Sequence, residues 1–242
     1  MSIKLSLITI PLFFSTILSP PNRGEEIIKM IHTRNSGKWH KAVTFDQTTE
    51  TYRNDSLKIT QEWHEAILFP DKLRIDIEPV ANNNAIIFRN DSTYSIRNGQ
   101  VKAARNEEND LIFLLGGMYS YPAEKVIAKM KKLGYDLSKA YDTEWQGRPV
   151  YVIGAANKND KVNQLWIDKE NLYMVRILKF GKENMEGIFE NHIKVSDNWT
   201  ETKATFYFEG KLAQVETYHN YRATPSLDER IFDVNHFQKF AQ

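Results

Sequence analysis

Residues 165–180 read LWIDKENLYMVRILKF, and this stretch decides how the chain folds. Leu165, Trp166 and Ile167 form an extended apolar lead-in. Asp168, Lys169, Glu170 and Asn171 interrupt it with charged, turn-forming side chains. An extended pattern resumes from Leu172 to Phe180. On this second strand both alternating sets are apolar: Met174, Leu178 and Phe180 on one, Tyr173, Val175 and Ile177 on the other. An antiparallel hairpin with one wet face alternates apolar and polar residues instead. The hairpin therefore needs cover on both faces.

Working outward, strand-like runs dominate. Residues 42–52, 57–69, 73–78, 85–89 and 93–96 precede the middle of the chain. Residues 148–153, 162–167, 188–195, 202–208 and 212–221 join the quoted hairpin after it. Asn54-Asp55, Pro70-Asp71, Asn90-Asp91, Asn98-Gly99 and Glu209-Gly210 punctuate them as turns. Leu73, Ile75 and Ile77 alternate with Arg74, Asp76 and Glu78, the period of a strand. A helix is expected over residues 25–36, where Ile27, Ile28 and Ile31 cluster and Gly37 follows. Asn109 or Asp110 is placed to cap a short run from Leu111 to Leu115, which ends at Gly116-Gly117. Pro122 opens a clearer helix carrying Val126, Ile127, Met130 and Leu133, closed by Gly134. Consecutive strands with few helices predict a mainly β (α+β) domain built on an antiparallel sheet.

At the N-terminus a short basic start precedes the apolar run LSLITIPLFFSTIL, residues 5–18. About 14 residues are too few for a bilayer span, which takes about 20, and suit the core of a secretory signal. The expected organisation is a signal at 1–24 and one domain over 25–242.

Composition narrows the function classes. Lys plus Arg number 32 and Asp plus Glu 31, so no basic excess points to nucleic acid. No cysteine is present, which excludes disulfides, thiolate metal sites, thiol nucleophiles and lipidation behind the signal. The six histidines show no metal-ligand spacing, and neither a nucleophile elbow nor a phosphate loop occurs. Glu62 with Glu65, or Asp76 with Glu78, remain as acid pairs of the kind hydrolysis uses. Lys125, Lys129, Lys131 and Lys132 give one helix a basic flank. No cofactor and no metal are expected.

Four stretches, in order, resemble the outer-membrane lipoprotein carrier family, the LolA/LolB-like proteins. They are FPDKLRIDI (69–77), AIIFRNDSTYSIRNGQVKAA (85–104), NQLWIDKENLYMVRILKF (163–180) and GIFENHIKV (187–195). The resemblance implies a strongly curved antiparallel sheet, an incomplete barrel, under a helical lid, with residues 111–115 as lid and Gly116-Gly117 as its hinge. It implies a monomeric, non-enzymatic periplasmic protein that carries lipid or lipoprotein acyl chains between membrane donor and acceptor. Arg74, Leu111, Phe113, Leu114, Trp166, Met174 and Phe180 would contact the ligand, with Arg74 bonded to lid carbonyls. Alternation sends Asp76 and Glu78 to the Arg74 face. Either a bulge resets that strand, or Arg74 is an exposed strand arginine. An extracytoplasmic sensor or protein-interaction module is the alternative, and a hydrolase using Glu62, Asp76 or Glu78 a third.

Overall fold

The computed structural model describes residues 22–107, 109–235 and 237. The stretch read as a signal lies outside these residues up to position 21. Helix α1 (Arg23–Asn35) begins two residues before the expected domain boundary. Its start belongs to the fold: Gly24 is buried where a Cβ would sit 2.7 Å from the Leu137 carbonyl oxygen, and Arg23 bonds Asp142 at 2.7 Å.

A long meander follows: β1 (Ala42–Arg53), β2 (Ser56–Leu68), β3 (Lys72–Ile77), β4 (Asn84–Arg89), β5 (Ser92–Arg97) and β6 (Gln100–Arg105). Asn54-Asp55, Asn90-Asp91 and Asn98-Gly99 carry positive φ at both positions, the turn that matches strand twist. The chain then forms α2 (Asp110–Leu115), a 3-10 turn at Gly117–Ser120, and α3 (Ala123–Lys132). A second meander runs through β7 (Ala140–Trp145), β8 (Arg148–Ile153), β9 (Gln164–Asp168), β10 (Met174–Lys179) and β11 (Met185–Glu190). The run read as one strand over 188–195 breaks at Asn191, whose φ is positive. Beyond it β12 (Ile193–Val195) and β13 (Asn198–Thr200) make a separate hairpin. Last come β14 (Lys203–Phe208), β15 (Lys211–Thr224) and a 3-10 turn at Glu229–Phe232.

Thirteen strands form one antiparallel sheet in the order β6-β5-β4-β3-β2-β1-β15-β14-β11-β10-β9-β8-β7. Edges β6 and β7 do not pair, so the curved sheet is an incomplete barrel. The two meanders meet only where β1 pairs with β15, from Ala42 opposite Thr224 to Thr51 opposite Gln214.

The inner face is covered by helices. Ile27, Ile28 and Ile31 of α1 and Val126, Ile127 and Met130 of α3 pack with Leu165, Ile167, Met174, Ile177 and Phe206 of the second meander. Each such side chain contributes about 1.5–3 kcal/mol by burial. Ile112 of α2 packs with Leu73, Ile75 and Ile77 of the first meander.

The outer face is covered too. Trp166 and Val175 join Val150, Val152, Trp145 and Tyr173, and the Arg176 guanidinium sits 4.3 and 4.6 Å from the Trp145 and Trp166 rings. The second strand of the opening stretch thus serves two cores, but not by the alternation expected. The β9–β10 register shifts between Met174 and Arg176, leaving Val175 as the extra residue of a bulge. Met174 and Ile177, expected on opposite faces, share the inner core.

Candidate functional site

Between the inner face and α2 lies a cavity of about 180 Å³. One end is apolar. Trp63, Ile67, Phe69, Leu73, Ile75 and Phe88 form its wall, and Leu111, Ile112 and Leu115 of α2 its roof. Alternation on β2 and β3 explains the wall, since residues two apart share a face.

The other end is acidic. Glu65 of β2, Glu216 of β15 and Glu201 beside β13 line it with Gln47, Thr200, Tyr218 and Tyr221. A bulge builds this end. The β1–β15 register shifts between Thr44 and Asp46, so Tyr218 and Tyr221, three residues apart, both reach the Phe45 ring at 5.2 Å. Gln214 Nε2 donates to Glu216 at 2.5 Å, and the Tyr218 hydroxyl donates to its other oxygen. Glu65 is 5% exposed and accepts no hydrogen bond from the described residues. The buried Trp63 indole N–H likewise has no partner among them.

Burial disfavours the charged form of each acid. It raises Glu65 well above the ordinary 4.5, with Glu216 adding repulsion. It raises Glu216 against the pull of its three side-chain donors, and Glu201 to about 7. Among the described residues no cluster of three acids or histidines is arranged to hold a metal ion.

Glu201 and Leu115 also line a second, open cleft of about 430 Å³. Arg34, Lys38 and Lys194 give it positive charge, and Trp39, Tyr173 and Trp199 give it aromatic walls.

The residues expected to contact ligand separate. Leu111 roofs the cavity. Leu114 and Met174 belong to the inner core and line the second cleft. Phe113 lies in the inner core with the Lys129 ammonium 4.8 Å from its ring. Trp166 stands on the outer face, donating to Gln164. Phe180 ends β10, where its N–H donates to Asn163 at 2.8 Å.

Arg74 follows neither expected course. Strand alternation holds, so it points away from α2, yet it is fully buried. Its Nε and Nη2 clasp Asp76 at 2.7 and 2.8 Å, and Nη1 donates to the Ile231 carbonyl at 2.7 Å. Phe237 covers it, its ring centroid 4.5 Å away. The segment after β15 lies over this face, with Leu227, Ile231, Phe232 and Val234 packed on Ile87 and Ile96. Arg74 therefore fastens the C-terminal segment, and the lid carbonyls are on the other side of the sheet.

The glycine pair is also not a simple hinge. A Cβ at Gly116 would sit 2.3 Å from Trp39 Nε1, and one at Gly117 2.3 Å from the Pro70 carbonyl oxygen. These glycines permit close packing, which pins the C-terminal end of α2. Asn109 Oδ1 caps the other end at 3.0 and 3.2 Å, and Lys179 pairs with Asp110.

Of the acids considered from sequence, only Glu65 enters the cavity. Glu62 accepts from Thr48, Asp76 from Arg74, and Glu78 from His64. Glu201 and Glu216 were not legible as site residues, because no motif marks them.

The same curved antiparallel half-barrel is found in solved structures. A DUF1329 family protein from Desulfovibrio piger superposes with a TM-score of 0.61 at 13% identity, covering 91% of this chain and 100% of that one. A putative outer membrane lipoprotein-sorting protein domain from Vibrio parahaemolyticus gives 0.58 at 14%, with 88% and 97% covered. A LolA superfamily protein from Nitrosomonas europaea gives 0.55 at 9%, with 89% and 99% covered. No family model and no curated protein matches the sequence.

Proposed function

We propose that the chain is a non-enzymatic extracytoplasmic carrier that takes a lipid acyl chain, free or on a lipoprotein, beneath α2. The observation that supports this most is the apolar cavity walled by Trp63, Ile67, Phe69, Leu73, Ile75 and Phe88 inside a half-barrel like that of a lipoprotein-sorting protein domain and a LolA superfamily protein. Each methylene moved there from water contributes about 0.8 kcal/mol. About 180 Å³ is less than the roughly 300 Å³ at which ligand pockets usually begin, so a full chain requires α2 to lift. Lifting α2 breaks the Lys179–Asp110 pair at one end, while the other end is closely packed at Gly116-Gly117. Signal cleavage falls ahead of Arg23, because α1 starts there, and the carrier works as a monomer in the periplasm.

Native mass spectrometry of protein purified from membrane-containing lysate tests this. Co-purified lipid that is lost in Leu111→Asp is expected. Lipid-free protein that also fails to bind a fluorescent acyl probe would refute the reading.

The raised carboxyls favour one second reading, acid-assisted hydrolysis within the cavity, with Glu65 as the acid. Turnover of acyl esters that disappears in Glu65→Gln would establish it.

A further inference from the structure

We infer that the polar end of the cavity is a cation subsite, and that the carried molecule bears a protonated amine on its apolar tail. This rests on the carrier reading above. Three carboxyl groups, from Glu65, Glu201 and Glu216, face one cavity, and no Lys, Arg or His lines it among the described residues. An acid cluster alone defines no site. Here Glu65 is 95% buried in relative terms, lines the cavity, and lacks any hydrogen-bond partner among the described residues. A donor that enters the cavity would stabilise such a group.

The entrant is constrained by chemistry. A plain alkyl chain offers no donor to Glu65. A fatty carboxylate would set a fourth acid among three, which like-charge repulsion penalises. An ammonium group supplies up to three donors, matched to Glu65 and to the remaining lone pairs of Glu216. It also lies near the faces of Trp63, Phe45, Tyr218 and Tyr221, which line the same space and attract cations. The tail then runs along Ile67, Leu73 and Ile75 beneath α2. Burial works against the charged forms of Glu65 and Glu216, and an ammonium beside them would offset that.

The test is displacement of the neutral probe N-phenylnaphthylamine from the purified full chain at pH 8, below the micelle point of each competitor. Dodecylamine should compete about tenfold or more better than dodecanol, the scale of one charge-assisted hydrogen bond, and dodecanoate should be the poorest. In Glu65→Gln the ratio of the amine to the alcohol affinity should fall toward one, and Glu216→Gln should reduce it independently. Near-UV circular dichroism confirms that each variant is folded. Lyso-phosphatidylethanolamine against lyso-phosphatidylglycerol separates a lipid headgroup from a free amine as the source. A preference for the former lipid assigns the headgroup, and preference confined to dodecylamine assigns the free amine. Dodecanol equal to dodecylamine, or an undiminished ratio in folded Glu65→Gln, would overturn the cation subsite while leaving the carrier reading intact. Failure of all three competitors to displace the probe would overturn both.

Discussion

The protein buries charge on both faces of one sheet and treats it in opposite ways. On the outer face Arg74 and Asp76 form a clasp, with Ile231 taking a further bond and Phe237 closing over the guanidinium. The Arg74 guanidinium and the Asp76 carboxylate are each other's counter-charge. On the inner face Glu65, Glu201 and Glu216 line one cavity that no Lys, Arg or His lines among the described residues. Glu65 on β2 lies opposite Ile75 of β3, the residue between Arg74 and Asp76. The difference teaches that burial alone does not distinguish a structural group from a functional one. What distinguishes them is whether the protein completes the arrangement itself.

Substitutions sharpen the contrast because they are expected to act with opposite signs. Arg74→Leu strands Asp76 in the interior and should destabilise the protein by about 3–5 kcal/mol. That lowers the melting temperature by roughly 10 °C for a chain of this size. Adding Asp76→Leu should recover most of the loss, since replacing both partners of a buried pair by apolar groups is close to neutral. Denaturant titration measures both, and the fraction that remains folded should bind an acyl probe like the parent. A stable Arg74→Leu protein with altered lipid transfer would break the comparison by giving Arg74 a gating role.

Glu65→Leu should do the reverse. Removing an uncompensated acid should stabilise the ligand-free protein by about 0.5–2 kcal/mol, the usual gain when a functional compromise is removed. Thermal unfolding gives the value, and destabilisation on the scale of Arg74→Leu would mean that Glu65 is as structural as the clasp.

The smallest effect concerns pH. Glu201 is raised to about 7 in the folded chain, against an ordinary 4.5. Between those values the folded state keeps a proton that the unfolded state has released. More protons bound to the folded state means stability falls as pH rises, from about 4.5 until the folded group has titrated near 7. A drop of a few degrees in melting temperature across that window is expected, and Glu201→Gln should reduce it. A rise in stability over the same window would show that the inner acids are paired after all.

Much of the fold was legible. The alternation of Leu73, Ile75 and Ile77 marked β3 as a strand, and Pro122 and Gly134 bracketed α3. Strands with few apolar residues were not. β6 is QVKAAR, exposed throughout as a polar edge, and β7 is AYDTEW. Edge strands carry little hydrophobic period because they have little to bury. The site was harder, for two reasons. Bulges at Val175 and between Asp46 and Thr44 on the β1–β15 ladder reset parity, and a one-residue slip sends a side chain to the other face. Trp166 and Met174, grouped as ligand contacts on the family resemblance, stand on opposite faces of the sheet. Arg74 was expected either to face the lid or to be exposed; it is buried on the other face, because its cover comes from Ile231, far along the chain, and no local pattern announces that contact.

The junction of β1 with β15 has a consequence for how the protein comes into being. Ala42 finds its partner only when Thr224 exists, so this ladder is among the most non-local contacts in the fold. Each meander closes its own hairpins early, through neighbours a turn apart. The free side of β1 stays a bare edge throughout synthesis of everything between, open to strands from other chains. Non-local pairing of this kind is slow to form. The final strand is thus the one that turns two independent meanders into a single cooperative body, and the nascent chain needs protection until Lys211–Thr224 has arrived.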